Sequence, residues 1–147
     1  MPDYPKSKEE LVERLGRFIE LRNYRQGNIN TMIGLEYLDC NFEEKTLTLR
    51  HVAKDDEMNT LHTMHGGIVT WLMDSAMGTL ANSWVVCPTP TMNISVNFVR
   101  AIRSGEEIRI KARLVHVGRQ TVSASCDIMS GDKICSAAVA TFFVTGK

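Results

Sequence analysis

The residues able to do chemistry concentrate where Asn59-Thr60-Leu61-His62-Thr63-Met64-His65-Gly66-Gly67 runs into a segment carrying Asp74. Two glycines at a helix entrance let a ligand or another chain approach the backbone, and first-turn amides have no intrahelical partners. At the positive end of the helix dipole, such amides can hold a phosphate, a carboxylate or the oxygen of a carbonyl gaining negative charge. The plainer alternative is a tight turn at His65-Gly66-Gly67. Asp74 has Trp71, Met77 and Gly78 as helical neighbours, and a carboxylate is costly to bury there unless something pairs with it. It is either a structural carboxylate, satisfied by an amide or an arginine, or a general base tuned by desolvation. His65 is open to base, acid, ligand or positioning roles; positioning fits best, because Asp74 is the better-placed base. Asn59 is a turn former by default, with a side-chain amide that could grip the loop or donate to substrate. His62 and His65 make a His-x-x-His spacing, but no carboxylate or cysteine at a matching spacing completes a metal site.

Helical arithmetic adds a constraint. Gly67 and Asp74 are seven residues apart, on one face but separated by about 10 Å along the axis. One chain struggles to aim both groups at a single reacting carbon. Two antiparallel copies of the helix, packed about a two-fold, bring the glycine end of one toward Asp74 of the other, so a dimer with shared sites is expected.

The elements that must position these groups follow from the pattern. From Gly66 to Ser83 the residues Ile68, Val69, Trp71, Leu72, Met73, Ala76, Met77, Leu80 and Ala81 cover almost the whole circumference, which predicts a buried central helix over 66–83. Ser7-Lys8-Glu9-Glu10 is a capping box, with Ser7 taking the Glu10 amide and the Glu10 carboxylate reaching back. The stripe Leu11, Val12, Leu15, Phe18 and Ile19 then predicts an N-terminal helix within 1–28, ending near Gly27. A first hairpin is expected from Ile33–Phe42 and Thr46–Val52. Four further strands are expected at Thr91–Val99, Glu107–Val117, Thr121–Met129 and Lys133–Val144, broken by Ser104-Gly105, Gly118-Arg119 and Ser130-Gly131-Asp132. Short connections make neighbours antiparallel, so the fold class is α+β, a broad antiparallel sheet with one helix buried on its face.

Composition bounds the function. At 147 residues with 44% hydrophobic and 23% charged residues, the chain is expected to fold as one domain, 1–147, and is not collagen-like or disordered. Seventeen basic residues balance seventeen acidic ones, so no long-range field draws nucleic acid or an anionic membrane, and any anion must be held locally. The apolar window Ile68–Val86 is broken by Asp74, Ser75, Asn82 and Ser83, which argues against a membrane span. No secretory signal is expected at Met1-Pro2-Asp3-Tyr4. Cys40, Cys87, Cys126 and Cys135 form no Cys-x-x-Cys pair, so reduced thiols and a cytoplasmic location are expected.

The run Asn59-x5-His65-Gly66-Gly67-x6-Asp74-x-Ala76-x-Gly78, followed by Thr91-Met92-Asn93-Ile94-Ser95-Val96-Asn97-Phe98 and the turn Ser104-Gly105-Glu106, resembles the hot-dog-fold acyl-CoA thioesterases of the phenylacetic-acid-degradation type, within the 4-hydroxybenzoyl-CoA thioesterase-like superfamily. The similarity spans roughly Ile33 to Val144. It implies a six-stranded antiparallel sheet wrapped around the central helix. It also implies that the Gly67 amide polarises a thioester carbonyl while Asp74 of the partner subunit activates water, with His65 and Asn59 supporting the loop. A water- or aspartate-orienting hydroxyl falls on Thr91, and the coenzyme phosphates on Arg119, with Arg100 and Arg103 behind it. Thr60-Leu61-His62 stands where many relatives carry a proline. Cofactors and metals are not implied beyond the CoA of the substrate. Partners implied are further copies of this chain, a homodimer pairing into a homotetramer, and neither nucleic acid nor membrane.

The leading expectation is hydrolysis of an acyl- or aryl-acyl-CoA to free acid and CoA, with Asp74 as general base or as nucleophile. A non-catalytic acyl-CoA binding or regulatory module is the alternative from another class, and an acyl-thioester dehydratase or hydratase a third. Trp71, Met73, Met77, Trp84 and Phe98 are candidate pocket residues, with plain core as the alternative for each.

Overall fold

The computed structural model describes residues 3–24 and 27–146. In chain order it contains α1 (Lys8–Tyr24), α2 (Ile29–Ile33), β1 (Glu36–Asn41), β2 (Thr46–Val52), α3 (Gly66–Val85), β3 (Thr91–Phe98), β4 (Glu107–Val117), β5 (Thr121–Ser130) and β6 (Lys133–Phe143). The six strands form one antiparallel sheet in the order β1-β2-β4-β5-β6-β3, and α3 lies against its inner face.

Strict alternation explains why the sheet has an inside. Ile108, Ile110, Ala112 and Leu114 of β4 and Val122, Ala124, Cys126 and Ile128 of β5 point inward and are buried. Arg109, Lys111 and Arg113 take the opposite parity and meet solvent. Against the inner residues α3 packs Leu72, Met73, Ala76, Met77 and Leu80, all with no accessible surface. Truncating one such Leu to Ala costs about 2–5 kcal/mol. α3 runs to Val85, two residues beyond the expected end, and stops where Val86 turns left-handed at φ 52° with its N–H on Asn82 O.

The expected all-round apolarity of this helix needs correction. Trp71, Asp74, Ser75, Gly78 and Asn82 form a half-buried stripe, at spacings that keep them on one side. Asp74 is therefore partly open in the single chain rather than sunk in the core. Three of the five candidate pocket residues are core instead: Met73 and Met77 are fully buried, and Trp84 stacks on Phe42 with centroids 5.6 Å apart. Trp71 stays half-buried and Phe98 is exposed.

The N-terminal region departs from the expected single helix. In α1, Ser7 Oγ accepts from Glu10 N–H at 3.3 Å, but the Glu10 carboxylate reaches one residue further back, to Lys6 N–H at 2.8 Å. Leu11 and Leu15 bury against α3. The end expected near Gly27 adjoins residues 25 and 26, outside the described residues. Ile33, expected to begin a strand, closes α2. Asn28 Oδ1 caps that helix through Asn30 and Thr31 N–H, and Gly34 ends it at φ 73°. β1 begins only at Glu36.

Candidate active site at the entrance of the central helix

The loop before α3 is closed from within. Asn59 Oδ1 accepts from Leu61 N–H at 2.9 Å and Thr63 N–H at 3.2 Å, and its Nδ2 donates to Thr63 Oγ1 at 3.1 Å. Asn59 thus grips the loop, as its side-chain chemistry allows. His62 sits on the exposed part of that loop at φ 57°. Among the described residues no group of three or more His, Cys, Asp and Glu side chains is placed to share a metal ion.

His65 is the N-cap of α3. Its N–H donates to Glu57 O at 2.9 Å, and its Nδ1 accepts from Gly67 N–H at 2.9 Å. A ring nitrogen that accepts carries no hydrogen, so a neutral ring holds its proton on Nε2. The amide expected to donate to substrate is therefore bonded to His65. Both glycines are sterically tight. A Cβ on Gly67 would lie 3.0 Å from His65 Nδ1, and one on Gly66 would lie 3.2 Å from Phe98 Cζ. Beside Gly66 opens a cleft of ≈ 290 Å³ whose lining includes Asn59, Thr63, Phe98, Arg100 and Ser136.

Asp74 stands seven residues along α3 from Gly67. Its Oδ1 accepts from Thr91 Oγ1 at 2.8 Å, at the first residue of β3. Among the described residues no cation forms an ion pair with Asp74. The single chain thus separates the candidates into two groups. His65, Gly66, Gly67, Asn59 and Arg100 gather at the helix entrance, and Asp74 and Thr91 lie further along.

The arginines divide in the same way. Arg119 is exposed in the β4–β5 turn, beside a cleft of ≈ 610 Å³ lined also by His116, Gly118, Gln120 and Thr121. That turn is at the Thr91 end of the sheet, since Val122, Phe142 and Thr91 pair across adjacent strands. Arg100 and Arg103 are at the other end, around Glu106. The carboxyl of Glu106 is held below the ordinary range first by the Ser130 hydroxyl, then by the Arg103 N–H and the fields of Arg100 and Arg103. Sequence reasoning missed Glu57, whose carbonyl fixes His65. No signal in the sequence marks Glu57 out, since its 5% exposure is visible only in the fold.

Comparison with known proteins adds a lineage to this geometry. A family model described as the thioesterase superfamily matches residues 61–137, the stretch holding His65, Gly67, Asp74 and Thr91. An Archaeoglobus fulgidus protein provisionally named an esterase is 23% identical over 137 residues, covering 92% of this chain and 84% of its own. The PaaI protein from the phenylacetic acid degradation operon of Escherichia coli superposes with a TM-score of 0.81 at 18% identity, over 92% of this chain and 96% of its own. A Streptococcus mutans protein bound to acetyl-CoA superposes with a TM-score of 0.73 at 24% identity, over 84% and 98% of the two chains. No helix among the described residues is long and apolar enough to cross a membrane.

Proposed function

The chain belongs to the thioesterase superfamily and has its hot-dog fold, and on that premise we propose that it hydrolyses acyl- or aryl-acyl-CoA thioesters at sites shared between two protomers. The observation that carries this reading is the state of Asp74. Thr91 holds one carboxylate oxygen at 2.8 Å, and the other is left to take a proton from water. Water attacks the thioester carbon as Asp74 accepts its proton. The carbonyl oxygen, now negative, takes the N–H of the partner's Gly67 from the partner's His65. Collapse of the tetrahedral intermediate expels the CoA thiolate, which recovers the proton from Asp74. CoA enters as part of the substrate.

The open edge of the sheet supports the shared site. Among the described residues β3 pairs with β6 alone, and its other side runs beside α3 with Gly66 against Phe98 at one end and Asp74 bonded to Thr91 at the other. Two β3 edges joined antiparallel about a two-fold bring the partner's Gly67 toward Asp74. The same operation brings Arg119 of one protomer and the partner's Arg100 to one site, where they meet the coenzyme phosphates, with Arg103 further out. Two such dimers pair into a homotetramer. The four free cysteines support a reducing, cytoplasmic setting.

Release of free thiol from a panel of aryl, short and medium acyl-CoAs tests the reaction, with Asp74→Asn expected to lower turnover by about 10²–10⁴-fold. Undiminished turnover in that variant rejects the role of Asp74. Mixing inactive Asp74→Asn with inactive Gly67→Val protomers, unfolded and refolded together, is expected to restore about a quarter of wild-type activity if sites are shared. No restoration in mixed dimers places each site within one chain. A single turnover in ¹⁸O-water separates direct water attack from an acylated Asp74.

A further inference from the structure

We propose that His51 and Glu57 are a buried positioning pair that holds the α3 entrance in its working geometry, an inference that rests on the thioesterase reading of that entrance. His51 continues the inward alternation of Leu47 and Leu49 on β2 and is 3% exposed, while Glu57 is 5% exposed. His51 Nδ1 lies 3.0 Å from Gly34 O, and Nε2 lies 2.8 Å and 3.0 Å from the two carboxylate oxygens of Glu57. A carbonyl oxygen only accepts, so Nδ1 carries a hydrogen, and a second proton lies on the line between Nε2 and the carboxyl group.

From this pair the bonds run to the site. Glu57 Oε2 accepts from Lys54 N–H at 3.0 Å, and Glu57 O accepts from His65 N–H at 2.9 Å. His65 Nδ1 then accepts from Gly67 N–H at 2.9 Å. Lys54 Nζ ties the same corner to the end of α2 through Met32 O at 3.2 Å and Ile33 O at 3.1 Å. The chain of contacts therefore begins at the root of β1 and ends on the amide that faces the substrate carbonyl. Stability alone is a weak reason to keep such a pair. Well-packed apolar residues of similar volume serve a core as well as a buried ion pair or better. Geometry is a better one, since displacing a reacting group by about 1 Å costs on the order of 100-fold in rate.

The test combines thiol-release kinetics with nuclear magnetic resonance of the Gly67 amide and the His65 ring in ¹⁵N-labelled full-length protein. In Glu57→Ala, kcat is expected to fall about 100-fold with KM within about threefold, and both sets of signals shift. Glu57→Gln, which keeps the volume and one acceptor, and His51→Gln are expected to lose about tenfold with smaller shifts in the same signals. Folded variants with unshifted Gly67 and His65 signals overturn the proposal. So does a KM that rises at constant kcat. If none of the three variants folds, the pair serves stability alone and the proposal falls. A wild-type protein that releases no thiol from any acyl-CoA sinks the thioesterase reading instead, while the resonance shifts still decide whether Glu57 sets the entrance.

Discussion

Thr91 donates its hydroxyl to Asp74 Oδ1 at 2.8 Å, joining the start of β3 to the middle of α3 through the carboxylate proposed as the base. A hydrogen bond to a charged group contributes about 1.5–3 kcal/mol. If Thr91 fixes the carboxylate for water attack, Thr91→Val, close in shape, lowers kcat by about 10–100-fold while Thr91→Ser recovers most of it. Steady-state kinetics on one good acyl-CoA decide this, and equal rates for Val and wild type dismiss the orienting role.

His65 caps α3 through the Gly67 N–H, a job an asparagine side-chain oxygen can also do. His65→Asn is expected to keep kcat within about tenfold, whereas a histidine that moves protons in the reaction loses about 100-fold or more on the same change. His65→Ala, which has no cap, is expected to destabilise by about 1 kcal/mol in denaturant unfolding. A collapse of kcat in His65→Asn with unchanged stability assigns His65 to proton transfer.

Glu106 carries an acid-sensitive share of stability. Its lowered carboxyl value, due first to the Ser130 hydroxyl at 2.8 Å, means the folded state prefers the charged form. The contribution is then fully present above the ordinary glutamate value of about 4.3 and disappears as pH falls through the lower folded value. Ser130→Ala is expected to reduce Tm at neutral pH, with the gap to wild type closing as pH falls below the ordinary glutamate range. A gap of constant size from neutral to acid pH contradicts this linkage.

The pattern of residues carries the sheet well and the helix termini unevenly. Strict alternation in β4 and β5 leaves one register that hides the apolar set, so Glu107–Val117 emerges with its observed limits. Ile33 misleads because an apolar β-branched residue suits either element. Asn28 and Gly34 are the terminators that decide for a helix, and they act through cap geometry rather than periodicity. Asp74 looks enclosed in sequence because its helical neighbours are apolar, yet the side of α3 bearing it is left open by the chain's own sheet. The bond between Thr91 and Asp74 joins residues seventeen positions apart, beyond any local pattern. His51 was the more accessible clue: its parity with Leu47 and Leu49 puts a histidine inside, and an interior histidine demands partners.

The uncovered flank of β3 reaches past catalysis. It presents free backbone donors and acceptors beside Met92, Phe98 and Val99, each at least 60% exposed. A solitary chain is thus a template onto which any extended polypeptide can add. In the proposed dimer, lesions that weaken pairing along this edge, even far from Asp74, should lower the yield of intact protein through precipitation and degradation before they alter the speed of the surviving molecules.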